Sequence, residues 1–175
     1  MRVLLTGILG VAALAITGCS TLDVTTASPP LERSAKWALL PIVNHTDVPQ
    51  AGLRAEAITE ALLRSLGVAE LARYPVNLNP DAVFEPAERK VADAAQKWAK
   101  ESGARYAVSG AVDEWRYKVG IDGEPAVGVA LQITDLQSGA VVWSGVGAKS
   151  GWSREALAAV AQKLVRDLLS TAKIR

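Results

Sequence analysis

Apolar positions follow three different patterns along the chain. Between Leu53 and Leu66 they fall at 53, 57, 58, 61, 62 and 66, the spacing of one helical face, and Gly67 stands where a C-terminal cap glycine is expected. A second helical face, Val91, Ala94, Ala95 and Trp98, follows Pro86, which suits a first turn, and is closed by Gly103. A third, at 157, 160, 161, 164, 165 and 168, follows Ser153 as the expected N-cap. Elsewhere the period is two. Trp37 to Val43 reads as a strand in which Pro41, lacking an amide proton, belongs at an edge or a bulge. Residues 71–76 read as a short strand inside a loop punctuated by Pro75, Pro80 and Pro86. Residues 105–119 form a strand candidate, and Asp122-Gly123 supplies a hairpin turn. Val127, Val129, Leu131 and Ile133 then alternate along its partner, and Ser138-Gly139 turns the chain into a third strand over 140–148. The last pattern is unbroken: residues 1–18 hold twelve apolar side chains and one charge, Arg2.

The order strand, helix, short strand, helix, three strands, helix predicts a single α/β domain with α+β character. Its mixed or antiparallel sheet would carry a meander in the C-terminal half, with helices packed on one face. One irregularity stands out. Tyr106, Val108 and Val112 occupy even positions, whereas Trp115, Tyr117 and Val119 are odd. A pleated strand keeps one parity per face, so either a bulge near Asp113-Glu114 restores register, or Trp115 and Tyr117 form a second apolar face suited to a subunit interface.

The opening apolar run is too short for a membrane span, since sixteen helical residues reach only about 24 Å of the roughly 30 Å hydrocarbon core. With Arg2 before it and small residues after, it reads as a secretory signal peptide over residues 1–18. Ile16-Thr17-Gly18-Cys19 resembles the bacterial lipobox. That resemblance implies cleavage before Cys19, thioether attachment of diacylglycerol and acylation of the new amino terminus. It also implies, with Ser20 rather than Asp after the cysteine, sorting to the outer membrane, where the protein would be anchored on the periplasmic face. Residues 19–35 are then the lipidated cysteine and a flexible tether rich in small polar residues and prolines, reaching ~50 Å when extended. The folded domain is expected over 36–175.

Charge and composition narrow the chemistry. The chain of 175 residues has 19 basic and 18 acidic side chains, one histidine and one cysteine. Removing residues 1–18 takes Arg2 away and leaves 18 of each sign, a formally neutral mature chain with no global attraction to nucleic acid. One cysteine and one histidine cannot build a zinc cage, so no metal and no cofactor is expected. No phosphate-binding loop, zinc-protease helix or nucleophile elbow occurs. His45 lies in a turn-rich segment, either a general base without a visible nucleophile or a locally bonded loop histidine. Asp113, Glu114, Asp122, Glu124 and Asp135 gather around the meander. Asp122 and Glu124 at the hairpin tip admit three readings: a carboxylate pair of a glycan hydrolase, an ordinary solvated turn, or an acidic surface that becomes strong when repeated by symmetry. Trp152, between Lys149 and Arg154, is either core packing for the last helix or an interfacial tryptophan whose flanking cations meet lipid phosphates.

Val112-Asp113-Glu114-Trp115-Arg116-Tyr117-Lys118-Val119-Gly120, Asp122-Gly123-Glu124-Pro125, Val142-Trp143-Ser144 and Ser150-Gly151-Trp152-Ser153-Arg154 together resemble the PelC family, outer-membrane lipoproteins of Pel exopolysaccharide export. The resemblance runs over essentially the whole chain. It implies a domain like the TolB amino-terminal type, a dodecameric ring beneath the outer membrane, and no enzymatic activity. Trp152 stands at the membrane-facing tryptophan of the motif, and Asp122 in the hairpin that contributes to an acidic periplasmic funnel. Such a funnel would guide the cationic Pel polymer, through weak contacts, to the outer-membrane porin PelB. The alternative from a different class is an outer-membrane lipoprotein that activates a peptidoglycan synthase by docking to it.

Overall fold

The computed structural model describes residues 20–25, 28–75, 88–120 and 123–175. Residues 1–18, Cys19, Pro86 and Asp122 lie outside the described residues, as do the expectations that fall on them. The elements are β1 (Ser20–Val24), β2 (Trp37–Asn44), α1 (Ala51–Ser65), β3 (Leu71–Arg73), α2 (Glu88–Glu101), β4 (Tyr106–Tyr117), β5 (Pro125–Asp135), β6 (Val141–Ser150) and α3 (Leu157–Leu169). They form a mixed six-stranded sheet in the order β1-β6-β5-β4-β2-β3. β2 runs parallel to both β3 and β4, and the β4-β5-β6 meander is antiparallel.

The helices occupy both faces of the sheet, not one. α1 and α3 bury Trp37, Leu39, Val108, Val129, Ile133 and Trp143 in the larger core, whereas α2 covers Ala38, Leu40 and Ala107, the opposite parity of β2 and β4, with Ala95 and Ala99. Handedness explains the split. The step from β2 through α1 to β3 moves outward along the sheet, and the step from β3 through α2 back to β4 moves inward. Two right-handed crossovers in opposite directions must lie on opposite faces. Among the described residues, the second face is therefore covered by α2 over β2 and the start of β4, and no helix lies over β5, β6 and β1.

α1 forms where its period predicts, and Gly67 (φ 92°) ends it in the left-handed conformation that glycine adopts freely. Its buried face is a different one from that expected: Ala51, Gly52, Ala55, Glu56, Thr59, Leu62 and Leu63 face inward, while Leu53, Ala57, Ala61 and Leu66 are exposed. Gly52 lets this face come close, since a Cβ there would collide with the Ile42 carbonyl oxygen. On α2, Ala99 is buried and Ala94 exposed.

Pro41 produces the bulge it was expected to need, a register shift between Leu39 and Ile42 in an interior strand. The Ile42 N–H left over donates to Glu56 Oε1 at 3.0 Å, and Arg73 of β3 donates to Glu56 Oε2. The parity change in β4 is also a bulge, between Val112 and Glu114. It turns Asp113 out to solvent and returns Trp115 to the core opposite Val127 at 2 % exposure, so Trp115 takes no part in the surface of the folded chain. Tyr117, two residues on, is half exposed.

Two described parts of the stretch read as a tether pack on the domain. Ser20–Val24 form an edge strand antiparallel to β6, and Leu31, 1 % exposed, bridges Ile174 near the carboxyl end. The packed structure thus begins well before Lys36.

Candidate functional site

The end of the sheet where β4 finishes, β5 begins and β6 finishes collects most of the residues singled out from sequence. Tyr117 stands opposite Pro125, whose carbonyl accepts the Gly151 N–H at 2.8 Å, so Tyr117, Pro125 and Gly151 form one row across three strands. Gly151 is required by crowding, because a Cβ would press on Glu155 Oε2, Val160 and Pro125. Beyond it the chain turns tightly. Glu155 Oε2 accepts the Trp152 N–H at 3.1 Å, and the Glu155 N–H donates to the Trp152 carbonyl at 2.9 Å. This reciprocal pair fixes the loop and leaves the Trp152 side chain 49 % exposed, so the indole is a surface group and not packing for α3. The Lys163 ammonium at the other carboxylate oxygen, then the Trp152 N–H, hold the Glu155 carboxyl below its ordinary range.

Ser153 does not cap α3. Ala156 occupies the N-cap without a side-chain hydrogen bond, and the Leu157 N–H instead donates to the Tyr117 hydroxyl at 3.1 Å. A phenol on β4 therefore serves the helix terminus from forty residues away, which local sequence rules do not see. Lys149 pairs with Asp167 of α3 at 2.9 Å, and Arg154 is exposed with φ at 67°.

The hairpin tip is less acidic than composition suggests. Lys118 Nζ lies 3.6 Å from Glu124 and donates to Ser150 Oγ at 2.7 Å, so the acid has a cation beside it and the hairpin is tied to β6. Glu124 and Trp152 consequently sit at the same end of the domain. The other meander carboxylates do not converge on them. Asp113 bonds His45 Nδ1 at 2.8 Å, Glu114 pairs with Arg116, and Asp135 lies beside Arg105 at the far end of β5. His45 is thus a loop histidine bonded to an exposed carboxylate.

Two shallow grooves accompany this arrangement. One of about 240 Å³ crosses the open sheet face and is lined by Thr21, Asp23, Asp113, Glu114 and Val146. The other, about 500 Å³, runs between α1 and α3 over Ala57, Ile58, Ala61, Ala158 and Ala159 and contains no carboxylate. Among the described residues no group of three or more metal-binding side chains occurs, and no helix is long and apolar enough to cross a membrane.

No family model matches the chain, and no curated protein sequence does. Among solved structures it is similar to the PelC dodecamer of Paraburkholderia phytofirmans: 40% identity, 90% of this chain and 99% of that one covered, TM-score 0.76. A leucine-to-methionine variant of that dodecamer aligns at 41% identity over 90% and 100% of the two chains, with a TM-score of 0.77. The lipoprotein GNA1162 of Neisseria meningitidis, at 19% identity, 78% and 96% coverage and a TM-score of 0.54, shares the fold.

Proposed function

Since the chain belongs to the PelC family, we propose that it is a non-enzymatic, lipid-anchored component of an exopolysaccharide export system, held on the periplasmic face of the outer membrane and assembled as a ring of identical copies. The observation that carries this is the 40–41% identity over nine-tenths of the chain to proteins solved as dodecamers. Anchorage rests on the lipobox-like run ending at Cys19, and contact with lipid headgroups on the exposed Trp152 and Arg154, whereas Lys149 is engaged by Asp167. With Trp115 buried, the apolar surface that supports contact between copies is the small-residue groove between α1 and α3, with exposed Leu53 and Leu66 on the same helix.

Repetition around a ring is what would make Asp122 and Glu124 effective. A single hairpin, with Lys118 beside Glu124, has a weak and screened field, but a closed circle of them focuses potential on the opening. A cationic Pel-type polymer would be guided past many such contacts towards the porin PelB without being trapped at any one of them. Glu124 shares an end with Trp152, so on this reading its charge would lie at the mouth of the ring nearer the membrane.

Two measurements test the reading. Sedimentation of the mature chain, alone and with lipid, should show a ring-sized species; a monomer at high concentration in both conditions would end the ring proposal. Reversal of charge at Asp122 together with Glu124 should lower polymer export while assembly is retained, and unchanged export would remove the guiding role.

A further inference from the structure

The register of β1 places the start of the mature chain at the same rim as Trp152. Ser20 stands opposite Lys149, Lys149 opposite Val127, and Val127 opposite Trp115. β1 runs antiparallel to β6, so the polypeptide enters β1 from the end at which β6 finishes. The row Tyr117, Pro125 and Gly151 lies two residues farther out, roughly 7 Å. Any residue bonded to Ser20 has its Cα about 3.8 Å away. A lipid carried there would be attached close to this rim.

The rim has a second projecting element. After Tyr117, 50 % exposed, the β4–β5 hairpin carries Lys118 and then Val119, which is wholly exposed. No packing within the described residues accounts for an apolar side chain so exposed in a solvated turn. Its carboxylate neighbours are engaged: Glu124 by Lys118, and Glu155 by Lys163. What the rim offers outward is an indole, a phenol ring, a valine and the cation Arg154, beside the Lys118–Glu124 pair. That composition suits the boundary between headgroups and acyl chains.

We propose that the β4–β5 hairpin, through Tyr117 and Val119, is a second lipid-contacting element beside Trp152, so that the domain stands on the membrane on two points flanking its own anchor. This rests on the reading of Cys19 as the lipidated residue. The hairpin that carries Glu124 then also sets the height of that carboxylate above the bilayer.

The test uses full-length lipidated protein with one added cysteine, Val119→Cys, Trp152→Cys or Ser138→Cys, the last in the turn at the opposite end. Each is labelled with an environment-sensitive fluorophore and reconstituted in phosphatidylethanolamine–phosphatidylglycerol vesicles containing lipid with a nitroxide high on the acyl chain. Labels at 119 and 152 should be quenched roughly threefold more than the label at 138, the depth range of interfacial side chains being within reach of the nitroxide. Quenching at 152 but not at 119 overturns the hairpin proposal and leaves the Trp152 reading in place. Quenching at 119 alone upholds the hairpin and removes Trp152. If neither exceeds 138, both fail. Lipid-borne quenching separates membrane contact from burial against another copy.

Discussion

Two glutamates titrate in opposite senses, and each reports on one device. Glu155 has its folded pKa lowered by Lys163 and the Trp152 N–H, so the stability it adds is present above its ordinary value of 4.5 and is lost as pH falls through the depressed one. The Trp152 amide resonance should therefore move with a midpoint below 4.5, and Glu155→Gln should abolish that step while leaving the sheet intact. Glu56 is nearly buried, and desolvation is the largest influence on it, raising its pKa against the opposing bonds from Ile42 and Arg73. Its stabilising contribution is complete below the unfolded pKa and declines as pH rises through the folded one. Glu56→Gln still offers an oxygen to the Ile42 N–H and should cost about 1 kcal/mol in urea unfolding at neutral pH. Glu56→Ala leaves that N–H without its acceptor and Arg73 with only the more distant Glu60, and should cost about 3 kcal/mol; equal losses would show that the bulge does not depend on this acceptor. Neither role was legible beforehand. Glu56 sits on a helix like any surface acid, and only the bulge at Pro41, which frees the Ile42 N–H fourteen residues earlier in the chain, gives it work.

Elements were legible where period alone decides and obscure where a partner decides. The meander, α1 and α3 follow from alternation and from helical spacing, and the parity change in β4 announced its bulge. β1 did not show itself, because five residues of Ser-Thr-Leu-Asp-Val form a strand only when β6 supplies the hydrogen bonds. The side of the sheet taken by α2 required the sheet order and the handedness of its crossover. The inward face of α1 was misread because Gly52, Ala55 and Thr59 gain burial through close approach, while larger Leu53 and Leu66 stay outside. The cap of α3 is the sharpest instance: Ser153 has the right chemistry and the wrong place, and Tyr117 holds the Leu157 N–H. Tyr117→Phe keeps the ring and removes that acceptor. It should lower unfolding stability by about 1 kcal/mol and raise hydrogen exchange at Leu157 selectively, whereas Ser153→Ala should be close to neutral.

At the scale of the molecule the consequence is mechanical. A tether of sixteen residues would have let the domain sit tens of ångströms from its anchor, and the orientation of the hairpin would then have been set by the ring alone. With Ser20–Val24 paired to β6, an anchor at Cys19 would instead impose orientation on each copy through its own first strand. On the proposed reading, an anchor at Cys19, the Trp152 indole and Glu124 would then share one rim. A flexible Gly-Ser segment of ten residues inserted between Cys19 and Ser20 isolates this effect, because it alters no side chain, no strand register and no charge. Such a segment spans about 16–19 Å on average, more than the ~10 Å screening length at moderate ionic strength. The acidic mouth could then drift out of electrostatic reach of an outlet fixed in the membrane. Lipidation, measured by acyl labelling, and ring size, measured by sedimentation, should be unchanged, while polymer export in cells should fall. Export that survives the insertion undiminished would mean that the ring is positioned by its partner in the membrane and not by the strand that follows the anchor.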